Sequence, residues 1–460
     1  MRADAGRTDG KIEAKLGTFD TAMVVVSLVV GIGIFRTPAI VARETGAAGG
    51  AGLFLLAWGI GGLVSLVGAL TFAEIGSNHP RAGGYYRVVA DCYHPALAFS
   101  LNWAQTLMQG AGAAGVAFIG AEYLVGLLLP PEKRGDKSVL LVALALMLVL
   151  LLVNGLGIRI GAETQNVLSM LKIVMIVGLS AVALALAPKA AAAPAIAPLT
   201  PAAGLAAALI PVFYAYGGYH MTMNLGADVR DARRRFPRAV TAGMLTVVGL
   251  YLVLNFAYVR TLGVGGVATS TLVAAALARA SLGAAGEAVV SVLIFLSAAG
   301  FVNATVLQMP RTYLAMAEDG VLPAVFRRVQ PRTQVSMAGL VLFGATMLVP
   351  AFLLGSFEKL LNYVIFTDML TLVVVSSTLF VLRRRGAGRE GRAVEAGAFR
   401  IPGPPILPAL YILALAAVAA HVALAEPRLA LAGTAILVTG WPLFLVGRRL
   451  NRSGRTHEVH

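Results

Sequence analysis

Between Leu140 and Val153 the chain carries no charged residue, and comparable apolar runs follow one another along most of its length. This constrains the fold more than any other feature. A hydrocarbon core roughly 30 Å thick needs about 20 apolar residues per helix. Backbone N–H and C=O groups in lipid must be paired within their own segment, so such runs are expected to be helices. Ten-residue alternating segments of the kind an outer-membrane barrel requires are not found. With 58% hydrophobic and only 13% charged residues, the composition lies outside the range of soluble domains.

Twelve helices are expected, near 18–42, 51–74, 95–129, 138–157, 162–187, 204–229, 238–262, 286–317, 335–355, 359–383, 404–425 and 428–448. The segments outside them are a tail (1–17), a basic Gly-rich loop (384–403), and a second tail (449–460). A Pro/Ala-rich linker occupies 188–201, and 230–238 reads as a short amphipathic connector. If the N-terminus is cytoplasmic, 26 of the 37 Lys and Arg fall on that side. That asymmetry follows the positive-inside rule and predicts a multi-pass protein of the inner cell membrane with both termini in the cytoplasm. The runs Arg233-Arg234-Arg235 and Arg383-Arg384-Arg385 read as topology anchors within reach of anionic headgroups of the bilayer. A net charge of +15 spread this way does not describe a nucleic-acid-binding domain.

Two helices carry interruptions in corresponding positions: the first at Gly31-Ile32-Gly33 and the sixth at Tyr216-Gly217-Gly218. Five spans separate their starts, so they run in opposite directions. Paired interrupted segments in two inverted halves point to a transporter binding site. The bland reading is that Gly only allows close helix packing, and Gly61-Gly62 and Gly110–Gly115 are assigned that role. An interruption leaves the N–H groups opening the second half-helix available to a carboxylate. The carbonyls of Val29 and Val30, and of Tyr214 to Gly217, are then available to a cation. Adjacent donors and acceptors suit a free α-amino acid, which carries both charges.

The motifs Gly31-Ile32-Gly33-Ile34-Phe35, Leu70-Thr71-Phe72-Ala73-Glu74-Ile75 and Pro80-Arg81-Ala82-Gly83-Gly84-Tyr85-Tyr86 resemble those of the amino acid–polyamine–organocation (APC) superfamily. Tyr214-Ala215-Tyr216-Gly217-Gly218-Tyr219, the Pro310–Pro323 stretch and Leu361-Asn362-Tyr363 extend the likeness, closest to bacterial members of the L-type amino acid transporter branch. The resemblance implies an all-α membrane protein of LeuT-like fold. Residues 18–187 and 204–383 would form inverted repeats of five helices each, with two helices added over 404–448. It further implies that Ile32 and Gly33 amides, beside Gly31, hold the substrate carboxylate. Val29, Tyr214 and Gly217 carbonyls would hold the amine, with Tyr216 and Gly218 in the same segment, and Tyr214 would gate the site. Lys172 would replace a bound cation, reaching carbonyls near Gly31 and Ser297.

A Lys within a span costs about 2.5–3.5 kcal/mol on insertion scales, so Lys172 is read as functional, as a carrier of transported protons or as a fixed strut. Asp368 either faces the pocket, favouring a cationic substrate or accepting a proton, or pairs structurally with another polar group. His220 reads as a hydrogen-bonded structural histidine, and Arg36 as a vestibule charge or outer-gate ion pair. Asn102, Trp103 and Asn303 read as packing residues. With one Cys, six His and no P-loop pattern, no metal site, cofactor or ATP-driven chemistry is expected, and no enzyme's nucleophile and base set can be assembled. No partner subunit is deducible. The expectation is alternating-access transport of amino acids, neutral ones first, by exchange or proton coupling. The second reading is a carrier of cationic amino acids or polyamines.

Overall fold

The structure is a computed structural model that describes residues 14–31, 33–46, 50–80, 83–188, 190, 200–270, 272–354, 364–387, 399–402, 406–425 and 427–456. Ile32, the Leu361-Asn362-Tyr363 motif, most of the 188–201 linker, most of the 384–403 loop and the start of the N-terminal tail lie outside the described residues. Every regular element of the described chain is helical, apart from one isolated bridge between Leu16 and Val229.

The helices are α1 (Thr18–Val29), α2 (Gly33–Gly46), α3 (Gly50–Asn78), α4 (Gly84–Cys92), α5 (Pro95–Leu128), α6 (Asp136–Gly155) and α7 (Ile158–Leu186). They continue as α8 (Pro201–Ala215), a 3₁₀ segment (Tyr219–Asp228), α9 (Ala232–Thr269), α10 (Val273–Glu318) and α11 (Met337–Leu354). The last three are α12 (Val364–Ala387), α13 (Ile406–Ala425) and α14 (Pro427–Thr456). Among the described residues nine helical stretches are long and apolar enough to cross a membrane, and α1 with α2, bent by 45°, makes a tenth. The chain is therefore a multi-pass membrane protein.

Some boundaries differ from those expected. The 230–238 connector is largely the opening of α9, where Arg233, Arg234 and Arg235 supply good helix formers to the first turn. Helices 7 and 8 both extend beyond their expected ends, and each turns at a glycine with positive φ, Gly263 and Gly283. The second half of helix 6 is a tighter 3₁₀ segment rather than a continued α-helix.

Packing is inverted relative to a water-soluble bundle. In α6, Leu141 and Leu152 are 67% and 71% exposed, whereas Asn154 is buried. Large apolar groups on the outside face suit lipid, and the interior collects the polar ones. Asn154 donates to Asn303 Oδ1 at 2.7 Å, and Asn303 donates to Gln165 Oε1 at 2.9 Å. Gln165 donates to Ser169 Oγ at 3.0 Å, which lies 2.7 Å from Ser27 Oγ. This polar chain runs from α6 through α10 and α7 to α1. Asn303 thus joins helices, while Asn102 bonds its own helix at Ala98 and Trp103 reaches Thr439 of α14.

One end of the bundle is held by charge. Arg311 of α10 meets Asp228 at 2.9 Å, both fully buried. Arg87 of α4 engages Glu318 and Asp319. Arg383 of α12 grips Glu74 of α3 with two bonds of 2.8 and 2.7 Å, and the Ile401 N–H adds a third to that carboxylate. The Arg383–Arg385 run is therefore more than a set of headgroup anchors. Arg383 pairs inside the protein, and Arg385 donates to the carbonyls of Asp91 and Cys92.

Candidate functional site

The two interruptions meet. α1 ends at Val29 and α8 at Ala215, and the residues that follow bring the two backbones into contact. Gly218 sits at φ +107, and a Cβ there would collide with the Leu28 carbonyl. Only glycine satisfies both the left-handed backbone and that approach. At Gly33 a Cβ would lie 3.1 Å from Ala215 Cα, so the second half of helix 1 rests directly on the end of α8. Gly31 faces the ring of Phe301 in α10.

Tyr251 of α9 bridges the breaks. Its hydroxyl lies 3.0 Å from the Val29 carbonyl and 3.1 Å from that of Ala215, on opposite sides of the junction. Tyr251 packs in an aromatic group with Trp58 and Tyr216, the Tyr216 ring 4.8 Å away between centroids. Tyr216 itself is buried and donates to the Trp58 carbonyl at 3.2 Å, so its side chain is directed into α3. Gly61 and Gly62 of α3 make room for that arrangement by lying against Val212 and Tyr216.

Lys172 is 1% exposed and reaches α1 from α7. Its ammonium donates to the Val30 carbonyl at 2.7 Å and the Ser27 carbonyl at 3.3 Å. Ser27 lies in the last turn of α1 and Val30 caps it, where the helix end leaves acceptors over and the dipole favours a cation. Gly300 of α10 supplies the space, since a Cβ there would stand 2.8 Å from Lys172 Cε. No hydrogen bond joins Lys172 to Ser297, whose buried hydroxyl has no partner among the described residues.

On the other side of the 3₁₀ segment lies Asp368 of α12, its side chain 20% exposed. Gln105 of α5 donates to Asp368 Oδ1 at 2.8 Å. His220, expected to be hydrogen-bonded, is buried with neither ring nitrogen hydrogen-bonded among the described residues, and Nε2 stands 3.8 Å from the same carboxylate oxygen. Tyr214 is 38% exposed and lies within electrostatic range of Asp368. Gly217 donates to the Tyr214 carbonyl at 3.1 Å and lines a narrow crevice with Ser65, Phe213, Tyr219, Met369 and Tyr411. The crevice adjoins the helix 6 break rather than Gly31 and Gly33. Arg36 is exposed and shares the neighbourhood of Tyr123 with Glu122, away from the junction.

The residues Tyr251, Gln105, Phe301 and Gly300 were not singled out from sequence. Each is an ordinary span residue whose relevance comes from its neighbour. A Tyr interrupting the apolar face of helix 7 was the one available signal.

Two interrupted helices that meet inside an apolar helical bundle are an arrangement found in membrane carriers. The chain belongs to the amino acid permease family, whose sequence profile matches residues 16–445. It is 26% identical over 410 residues to the serine/threonine exchanger SteT of Bacillus subtilis (strain 168), covering 88% of this chain and 90% of that one. It is 25% identical over 448 residues to the human Asc-type amino acid transporter 1, with 95% and 82% covered. The human large neutral amino acids transporter small subunit 2 is 26% identical over 461 residues, with 96% and 82% covered. Transport of amino acids, membership of the APC superfamily and a multi-pass membrane location follow.

Proposed function

We propose that the protein exchanges neutral amino acids by alternating access about the junction of its two interrupted helices. The observation that carries this reading is the contact of Gly33 with Ala215 and of Gly218 with Leu28, which puts both sets of released backbone groups in one place. In this reading the N–H groups opening α2, from Ile32 and Gly33, take the carboxylate, beside Gly31. The carbonyls of Tyr214 and Gly217 take the amine, and Tyr214 moves as the gate. The Val29 carbonyl already accepts from Tyr251 and Gly31, and the Tyr214 carbonyl from Gly217, which makes their share in binding the amine smaller than that of the Gly217 carbonyl.

The arrangement proposed is twelve spans, with 18–187 and 204–383 as LeuT-like inverted repeats and 404–448 added. Both termini are placed in the cytoplasm and the protein in the inner cell membrane. Lys172 acts as a fixed strut, since two carbonyls hold its ammonium. Relatives named as exchangers and neutral amino acid transporters support the neutral class. A cationic substrate remains the second reading because Asp368, near Tyr214, offers it a carboxylate.

The test is counterflow in proteoliposomes. Labelled serine, alanine or leucine is expected to accumulate only when unlabelled neutral amino acid is inside. Accumulation of arginine, lysine or a polyamine alone would transfer the assignment to the second reading.

A further inference from the structure

His220 and Asp368 are not accounted for by binding at the backbone junction. His220 is 2% exposed, and neither ring nitrogen has a hydrogen-bond partner among the described residues. A neutral imidazole has one donor and one acceptor, and leaving a buried polar group unmet is destabilising. The ring nevertheless faces a carboxylate: Nε2 to Asp368 Oδ1 is 3.8 Å, beyond a hydrogen bond and well inside the range of strong charge attraction in an apolar interior. That oxygen already accepts from Gln105.

The other groups around the pair do not compete for a proton near neutrality. Phe72 of α3, Tyr85 of α4 and Tyr219 stand 5.7, 6.5 and 6.1 Å from the imidazole between ring centroids. Tyr411 of α13 is bonded to Tyr219, Tyr214 lies within electrostatic range of Asp368, and Tyr313 within that of Tyr85, all of them phenols. Asp228, further along the 3₁₀ segment, is paired with Arg311 of α10. Phenols titrate near pH 10, whereas histidine does so between pH 5 and 8.

We propose that His220 and Asp368 form a proton-binding site that regulates movement of the helix 6 break. One proton from the aqueous phase adds to the free nitrogen lone pair of His220, and the resulting imidazolium pairs with the carboxylate. No other bond changes. The local charge goes from −1 to 0. Closing the gap to a charge-assisted bond of about 2.8 Å draws the 3₁₀ segment toward α12. His220 lies two residues beyond Gly218, so this displacement acts directly on the contact with Leu28. The Lys172 ammonium, fixed on α1, has no part in it.

The proposal rests on the transport reading, and two readouts keep them separable. The first is solid-state NMR of protein labelled with [15N]histidine in liposomes between pH 5 and 8.5. His220→Gln assigns one signal among the six histidines. That signal is expected to pass from neutral to imidazolium within the range, with proton binding at least tenfold weaker in Asp368→Asn. The second is counterflow in the same vesicles, where a several-fold dependence on pH is expected in the wild type and a flat profile in His220→Gln. A His220 signal in one protonation state throughout would overturn the proposal, as would an unchanged pH profile in His220→Gln. Absence of amino acid counterflow with an intact His220 titration would instead overturn the transport reading alone.

Discussion

The hydroxyl of Tyr251 lies 3.0 Å from the carbonyl oxygen of Val29, the last residue of α1, and 3.1 Å from Ala215 at the end of α8. One phenol thus serves the terminal carbonyls of both interrupted helices. Tyr251→Phe keeps the ring packing against Trp58 and Tyr216 and removes only the hydroxyl. Stability is expected to fall by about 1 kcal/mol. Transport is expected to fall several-fold, read from initial counterflow rates and from thermal melting in detergent.

Gly218→Ala tests the contact between the breaks. The side chain would meet the Leu28 carbonyl, and the backbone would be held at φ +107. A strained backbone of this kind costs of order 1–3 kcal/mol before the collision is counted. Loss of transport with a lower melting temperature is expected. Gly112→Ala, where a Cβ meets nothing within 4 Å, is expected to melt with the wild type.

For Lys172→Ala, at least a tenfold loss of transport with normal membrane insertion is expected, because the Val30 carbonyl loses a charged donor at 2.7 Å. Gly300→Ala approaches the same strut from the other side, crowding Lys172 without changing its charge. It should reduce transport in the same direction. Wild-type rates in both variants would show that the strut has no mechanical part.

Glu74 and Arg383 form a pair whose carboxylate is 3% exposed and whose guanidinium is 26% exposed. Removing Arg383 leaves a buried charge with only the Ile401 N–H, which costs about 2–5 kcal/mol at a fully buried pair and less here because water reaches Arg383. Arg383→Ala is therefore expected to melt lower than the double variant Glu74→Ala, Arg383→Ala. The order of the melting temperatures decides this.

Burial raises the pKa of the Cys92 thiol above its ordinary value, against a smaller opposing effect of Arg385. The thiolate is the reactive form, so maleimide labelling should be slow at pH 7. It should rise about tenfold per pH unit up to the raised pKa. Unfolding in detergent should abolish the protection. Fast labelling of the folded protein at pH 7 would contradict the buried position.

Much of this architecture could be read from residue types, because lipid imposes a simple rule on span length and because Gly within a span is visible. The breaks at Gly31-Ile32-Gly33 and Gly217-Gly218, and the isolated charge of Lys172, fall in this group. What was not legible depends on pairing across the bundle. Glu74 and Arg383 are more than 300 residues apart and look like interfacial charges when read singly. Tyr251 and Gln105 are unremarkable within their own helices. His220 was read as satisfied because buried histidines usually are, and only the geometry exposes its unmet nitrogens.

The bridge at the chain's beginning acquires a mechanical meaning from these contacts. The Leu16 N–H donates to the Asp228 carbonyl at 2.8 Å, and the Arg230 N–H returns to the Leu16 carbonyl at 2.9 Å. The residues just before α1 are thus laced to the far end of the 3₁₀ segment, while Gly218 and Leu28 hold the near end. The first half of helix 1 and the second half of helix 6 thus touch at both ends, by hydrogen bonds at one and by close backbone approach at the other, so a swing of either is expected to carry the other with it.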